Sequence, residues 1–301
     1  MSSPKRIISK LKKRFARMKV HPLTKTQPYK ALLRYIHLQL YFVVWEHYRH
    51  SWIGDLQLEI HKGDAGIIGN VYYGLYECYE SLFLLHYLRA EDYFLDVGAN
   101  LGHYSLLAAG ITQCRTITIE PVPATFERLQ DQIRINHLED RIDSRQVGVG
   151  EQEGSLFFST DRDVMNRVVD ANYTDAVAVP VIALDQLDAQ LPIRLLKMDV
   201  EGFEYQALQG ASSWLNNPVL QVIILELNAS GSAFGISDQK LVSLLESYGF
   251  YPYQYEPFSR KLKRLTGHNK TQFNTIFIRD LEPVMQRIAS AKPVRVFKQS
   301  I

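Results

Sequence analysis

The stretch Phe94-Leu95-Asp96-Val97-Gly98-Ala99-Asn100-Leu101-Gly102 reads as a buried strand over 94–97 that runs into a glycine-containing turn and then into a helical pattern over 104–109. In open α/β sheets, ligands bind outside the carboxyl ends of the strands, which makes this turn a candidate ligand cradle. Glycine suits such a turn because a side chain would block close approach of a ligand to the backbone and to the helix start. Glu120 ends the next apolar run, 18 residues beyond Gly102. A carboxylate there can accept both hydroxyl hydrogens of an adenosine ribose, so the pair points to an adenosyl ligand. A tight turn in a non-binding α/β protein is the alternative.

The glycine pattern discriminates among adenosyl cofactors. A nicotinamide fingerprint, Gly-x-Gly-x-x-Gly, starting at Gly98 requires glycine at 100 and 103, where this chain has Asn100 and His103. A pyrophosphate fits poorly there. S-adenosylmethionine carries no phosphate, and its amino acid part can hydrogen-bond to the loop backbone and to Asp96.

Moving outward, short apolar runs alternate with helical patterns from Tyr93 onward, the signature of βαβ units. Strands are predicted over 93–97, 116–119, 144–149, 195–200 and 222–227, and, after a helix over 238–248, over 251–255 and 275–278. The expected fold class is α/β: a Rossmann-like class I methyltransferase fold, with a seven-stranded, mainly parallel sheet, helices on both faces and an N-terminal helical cap. The expected division is a basic amphipathic tail over 1–22, a helical cap over 23–88, the Rossmann-like domain over 89–280 and a C-terminal tail over 281–301. Within the cap, helices are predicted over 29–49 and 80–88, with a short hairpin or loop around Gly63, Gly66, Gly69 and Gly74.

A second constellation, Lys197-Met198-Asp199-Val200-Glu201-Gly202-Phe203-Glu204, closes another predicted strand and opens a helix over 205–215. Strand alternation sets Lys197 and Asp199 on one face, with Asp199 at the carboxyl edge. Here the chain resembles the FkbM family of methyltransferases, whose blocks look like Asp-Val-Gly-Ala-Asn-x-Gly-x-Tyr-Ser and Lys-x-Asp-Val-Glu-Gly-x-Glu. They stand at Asp96 to Ser105 and Lys197 to Glu204. The resemblance extends to Tyr76-Glu77, Leu208 to Ala211, Ile224 to Glu226 and Asn274 to Phe277, and covers roughly residues 74–280. It implies S-adenosylmethionine as donor and a hydroxyl of a sugar, glycan or other natural product as acceptor. It further implies that Asp96, Gly98, Asn100 and Gly102 hold the methionine part, that Glu120 holds the ribose, and that residues around Asp143 approach the adenine.

Methyl transfer to an alcohol leaves the protein two tasks, positioning the acceptor and removing its proton. Asp199, Glu201 and Glu204 are the first candidates, with Asp199 nearest the methyl group and Glu201 or Glu204 binding the acceptor. His103 and Glu77 are secondary. Each has an ordinary reading as well: Glu201 and Glu204 favourably oppose a helix dipole, Lys197 pairs with one of them, and His103 merely starts a helix. Asp199, Glu226 and Asn228 could ligate magnesium, but the same groups bind sugar hydroxyls equally well, and no metal is expected. The acceptor pocket is expected from variable loops over 161–173 and 254–270, which carry Arg162, Arg167, Tyr173, Tyr255, Phe258, Arg260 and His268.

The composition bounds the alternatives. A chain of 301 residues with 46% apolar and 22% charged residues accommodates one large α/β domain and an appendage. Its two cysteines, Cys78 and Cys114, build neither a disulfide framework nor a four-cysteine zinc site, which suits a reducing, cytoplasmic setting. Residues 1–19 carry eight Lys and Arg and no acidic residue; removing those eight from the net charge of +2 leaves −6 on the remainder. That sign argues against a protein built to grip a long nucleic-acid backbone. Asn216-Asn217-Pro218-Val219 resembles the Asn-Pro-Pro-Tyr motif of amino-group methylation, but lacks its second proline and aromatic, and no lysine neighbours Glu226 in the sequence as expected for an RNA 2′-hydroxyl enzyme. A catalytically inactive cofactor-binding scaffold is the non-enzyme alternative. No segment is long and apolar enough to span a membrane: residues 31–45 are interrupted by Arg34 and His37. Over 5–19, Ile7, Ile8, Leu11, Phe15 and Met18 fall on one helical face, opposite the basic residues. That helix is either a solvated or docked tail or a contact for a membrane surface or a partner.

Overall fold

The computed structural model describes residues 4–64, 66–160, 167–170 and 172–301. It divides into two compact units, residues 1–78 with 295–301, and residues 79–294. This division falls ten residues before the expected boundary after 88, because the helix over 78–87 packs with the second unit.

The first unit contains α1 (Pro4–Val20), α2 (Pro28–Val44), an antiparallel hairpin of β1 (His47–Ser51) with β2 (Gln57–His61), and α3 (Gly69–Tyr73). Pro28 opens α2, where its missing N–H costs nothing. The helix expected to reach 49 stops at Val44: Trp45 turns extended, and the following residues alternate in exposure with the period of a strand. The hairpin therefore precedes the glycine-rich stretch, and Gly69 instead begins α3. Arg14 ties α1 to its neighbours, with its guanidinium 4.5 Å from the Tyr35 ring centroid and donating to the Tyr72 hydroxyl.

The second unit is an α/β fold. Its elements in chain order are α4 (Cys78–Tyr87), β3 (Tyr93–Val97), α5 (His103–Leu107), β4 (Arg115–Ile119), α6 (Pro123–Ile135), β5 (Ile142–Arg145), β6 (Gly148–Val149), β7 (Gly154–Ser159), β8 (Val168–Val169) and β9 (Ala176–Ile182). There follow β10 (Ile193–Met198), α7 (Glu204–Gln209), α8 (Ser212–Asn216), β11 (Val222–Glu226), α9 (Asp238–Ser247), β12 (Tyr251–Glu256), β13 (Lys261–Arg264), β14 (Asn274–Ile278) and α10 (Leu281–Ala289).

The main sheet has the order β13-β12-β14-β11-β10-β3-β4-β5. Its five strands from β11 to β5 run parallel; β14 and β13 run opposite to them, and β12 between these two runs with them, so that every pairing beyond β11 is antiparallel. From β3 the chain proceeds outward through β4 and β5, then returns to β10 on the other side of β3. The carboxyl ends of β3 and β10 thus flank the topological switch point, where open α/β sheets bind ligands. Both faces of the sheet are covered: Leu95 and Val97 of β3 pack with Ala207, Trp214 and Leu241 in one apolar cluster, while the alternate residues Phe94 and Asp96 are equally buried on the opposite side.

Two differences from the expected sheet have local causes. An eighth strand, β13, was hidden because its sequence, Lys-Leu-Lys-Arg, has three cations and one apolar residue, a composition suited to a sheet edge. The single strand expected over 144–149 divides: β5 joins the main sheet, whereas β6 joins a separate four-stranded sheet of order β6-β9-β7-β8. The helix expected over 205–215 is interrupted at Gly210, where a Cβ would lie 2.1 Å from the Gly150 carbonyl oxygen.

Candidate active site

Two loops meet at the switch point. The first leaves β3 through Gly98, Asn100 and Gly102, all in left-handed conformations, with φ of 76°, 52° and 83°. The second leaves β10 through Glu201 and Gly202, with φ of 53° and 102°. They are stitched together where the Asp199 amide donates to the Val97 carbonyl at 3.0 Å. Glycine at 98 has a reason the sequence did not reveal: a Cβ there would lie 1.8 Å from the Asp199 carbonyl oxygen. The close approach that forbids a side chain comes from the second loop. At Gly202, a Cβ would lie 2.7 Å from the Ser230 carbonyl oxygen.

Beneath the first loop, Glu120 at the end of β4 accepts from the Asn100 amide at 3.0 Å and from the Val122 amide at 3.1 Å. A carboxylate offers about four lone-pair sites, so two remain for a ligand. Burial raises its carboxyl to about 7 despite those two bonds. Asp96 is fully buried, receives the Ser105 hydroxyl on Oδ2 at 2.6 Å, and has its Oδ1 without a hydrogen-bond partner among the described residues.

The second loop gathers the acidic groups. Lys197 Nζ donates to Asp199 Oδ2 at 3.0 Å. Carboxylate oxygens of Asp199, Glu201 and Glu226 all lie within 4.8 Å of one another. Burial raises the Glu226 carboxyl far above its ordinary range, and the neighbouring Asp199 raises it further. Burial and the carboxylates of Asp199 and Glu204 raise Glu201 to about 7. Lys197 opposes both shifts. It stands on the strand beside Glu226, so the lysine missing around Glu226 in the sequence is supplied from β10 in space.

Asp199 and Glu201 open onto a cleft that holds about 630 Å³ of empty space, counting its open mouth. Its walls include Gly98, Asn100, Glu120, Asp199 and Glu201. Its far end is apolar, formed by Val147, Val149, Phe158 and Val168 from the second sheet and its approach, with Phe203 also on the wall. These residues escaped the sequence reading because apolar side chains on short strands cannot be told from core by pattern alone.

Other predicted residues take supporting or remote places. Gly102 and Asp96 underlie the loop without forming the cavity wall. Glu204 is buried at the start of α7, and its Oε1 accepts the amides of Val200 at 3.0 Å and Gly202 at 3.2 Å, so it fixes the turn instead of facing the cavity. Asp143 is exposed on the edge strand β5, paired with Arg145 at 2.7 Å and away from the cavity wall, because alternation buries Ile142 and turns Asp143 outward. His103 bonds Ser81 at 2.8 Å, and burial lowers it to about 3, which leaves a neutral imidazole of little basicity. Of the expected acceptor residues, Arg167 acts electrostatically on Glu201, and Arg162 lies outside the described residues. Tyr255 is buried and bonded to His86 at 2.7 Å, while Arg260 donates to the Ala291 carbonyl at 2.7 Å; both belong to the packing of the antiparallel strands.

Methyltransferase 1 of Beauveria bassiana is 26% identical over 188 residues, covering 53% of this chain and 72% of that protein. Hexuronic acid methyltransferase AglP of Haloferax volcanii is 24% identical over 165 residues, covering 54% of this chain and 64% of that protein. Among solved structures, Pyrococcus horikoshii TYW2 in complex with MeSAdo is 13% identical with a TM-score of 0.42, covering 84% of this chain and 83% of that one. The family described as the methyltransferase FkbM domain matches residues 96–252, just over half of the chain, from the buried aspartate of the first loop to the antiparallel strand β12. The chain belongs to the FkbM methyltransferase family.

Proposed function

We propose that the protein is an S-adenosylmethionine-dependent O-methyltransferase acting on a hydroxyl of a sugar, glycan or other small natural product. The observation that carries this reading is the joining, in one cavity, of an adenosine-type cradle at Gly98, Asn100 and Glu120 to the carboxylates of Asp199 and Glu201, with a Glu226 carboxylate oxygen within 4.8 Å of both. The residues present fit the cofactor. Glu120 keeps lone pairs for ribose hydroxyls, the apolar end suits a flat base, and the orphaned Asp96 Oδ1 is a buried acceptor suited to a cationic ammonium. When bound, S-adenosylmethionine supplies an electrophilic methyl carbon on sulfur.

The remaining work falls to the chain's own groups. Glu226, which holds its proton, and Asp199, held by Lys197, together offer a donor and an acceptor to an alcohol. Glu201, balanced near neutrality, is the group suited to take the acceptor's proton. AglP bears the name of a hexuronic acid methyltransferase, which supports an acceptor of sugar type. A ribose hydroxyl of RNA is the second reading, favoured by Lys197 beside Glu226.

The test is transfer of labelled methyl from S-adenosylmethionine to a panel of glycans, small polyols and RNA. Labelling of glycans or polyols, lost in Asp199→Asn, supports the proposal. Labelling of RNA alone turns it to the second reading, and retention of cofactor binding with no transfer to any acceptor favours a scaffold.

A further inference from the structure

The first unit carries an apolar surface that its own core does not use. α2 is apolar on two opposite sides. One side, with Ala31, Leu38 and Phe42, is buried. The other presents Tyr29, Leu33, Leu40, Val43 and Val44 at 65–76% exposure, with Trp45 following at 59%. At about 100° per residue, the five helical positions fall within an arc of roughly 100°, the width of a stripe that normally faces a core. Scattered exposed apolar residues need no explanation, but an aligned aliphatic and aromatic row on one helix marks an interaction surface.

Charge selects what covers it. The first acidic residue of the chain is Glu46; before it stand eleven Lys and Arg, and all 32 acidic residues come at or after it. Lys10, Lys12, Lys13, Arg17 and Lys19 are exposed on α1. The basic helix and the apolar row are continuous: Phe15 of α1 lies 5.3 Å from the Tyr29 ring that begins the row, and Lys19 Nζ lies 4.9 Å over Phe15. An aliphatic row beside a cationic, acid-free helix matches a lipid surface with anionic headgroups, where the apolar side chains enter the acyl boundary and the lysines meet the phosphates. Tryptophan at the end of the row suits the headgroup level. A second copy of this surface would bring two cationic helices together. At 17 residues, α2 is roughly 25 Å long, and no described helix is long and apolar enough to cross a membrane, so it would lie on the surface.

We propose that the exposed row of α2, together with the basic face of α1, docks the first unit onto an anionic membrane surface. The test uses the full chain with phosphatidylcholine vesicles and with mixed phosphatidylcholine and phosphatidylglycerol vesicles. The expected result is co-sedimentation with the mixed vesicles only, weakened by salt, with a blue shift of tryptophan emission that disappears in Trp45→Phe. Leu33→Glu with Leu40→Glu should abolish sedimentation. Exchange of Lys10, Lys12 and Lys13 for Gln, at exposed sites, should lower partitioning on the order of a hundredfold. Circular dichroism confirms that each variant is folded. Absence of vesicle binding by the wild type, equal binding to both vesicle types, or binding unchanged by the folded leucine variant would overturn the proposal. So would a dimer in solution that the leucine variant dissociates while vesicle binding is absent.

Discussion

The two loops at the switch point are built alike and employed differently. Each leaves a parallel strand through left-handed residues, and each has carboxylates gathered at it, buried at the first and half-buried on the cavity side of the second. In the first, Asp96 and Glu120 are tied to Ser105 and to backbone amides, so their geometry is set before any ligand arrives. In the second, Asp199, Glu201 and Glu226 are crowded against one another, with Lys197 bonded to Asp199. Hydrogen-bonded carboxylates are suited to holding a ligand. Among the crowded ones, Glu201, raised to about 7 by burial and its carboxylate neighbours, is poised to exchange a proton at neutral pH.

The largest expected effect breaks both loops at once. Gly98→Ala sets a Cβ 1.8 Å from the Asp199 carbonyl oxygen at a φ of 76°, and should cost more than about 3 kcal/mol of stability in urea unfolding, if the variant folds at all. Gly102→Ala shares a positive φ, of 83°, but its Cβ comes too close only to the end of the Leu129 side chain, at 2.7 Å, and should cost about 1–2 kcal/mol.

Next in size, Asp199→Asn should reduce kcat by about 10²- to 10⁴-fold while leaving calorimetric binding of the demethylated cofactor near the wild-type value. Glu120→Ala should do the converse, weakening that binding by about 1–3 kcal/mol. If both variants lost binding equally, the division of labour between the loops would be wrong.

The smallest and most graded effect is with pH. Glu120, Glu201 and Glu204 sit near 7 in the folded protein, against an ordinary value of 4.5. The folded state therefore holds more protons than the unfolded chain between about pH 4.5 and 7, and stability should fall as pH rises through that window, with Glu226 extending the loss above it. Turnover should rise through about pH 7 as Glu201 loses its proton, so melting temperature and kcat should move in opposite directions. Glu226→Gln should flatten the alkaline part of the stability curve.

Much of this was legible without coordinates. The strand-to-glycine-turn pattern at 94–102, the interval to Glu120 and the second block at 197–204 announced the fold class, because apolar runs flanked by special backbone residues leave few alternatives. The strand β13 was not legible, since an edge strand needs no apolar alternation. The roles of individual carboxylates were not legible either. Glu201 and Glu204 are three residues apart in one motif, yet one lines the cavity and the other caps a turn, because a left-handed residue at 201 and a glycine at 202 reverse the chain between them.

The sequence by itself determined the alternation of strands and helices, the glycine turn and the acid-free basic start, all of which are local patterns with local physical causes. Only the tertiary structure decided that Lys197 stands beside Glu226, that Asp143 faces outward, that Gly98 yields to the Asp199 backbone, and that one side of α2 remains uncovered. These depend on which strands become neighbours and on how the carboxylates share one small volume. Local pattern does not encode such proximity, which burial and long-range pairing create.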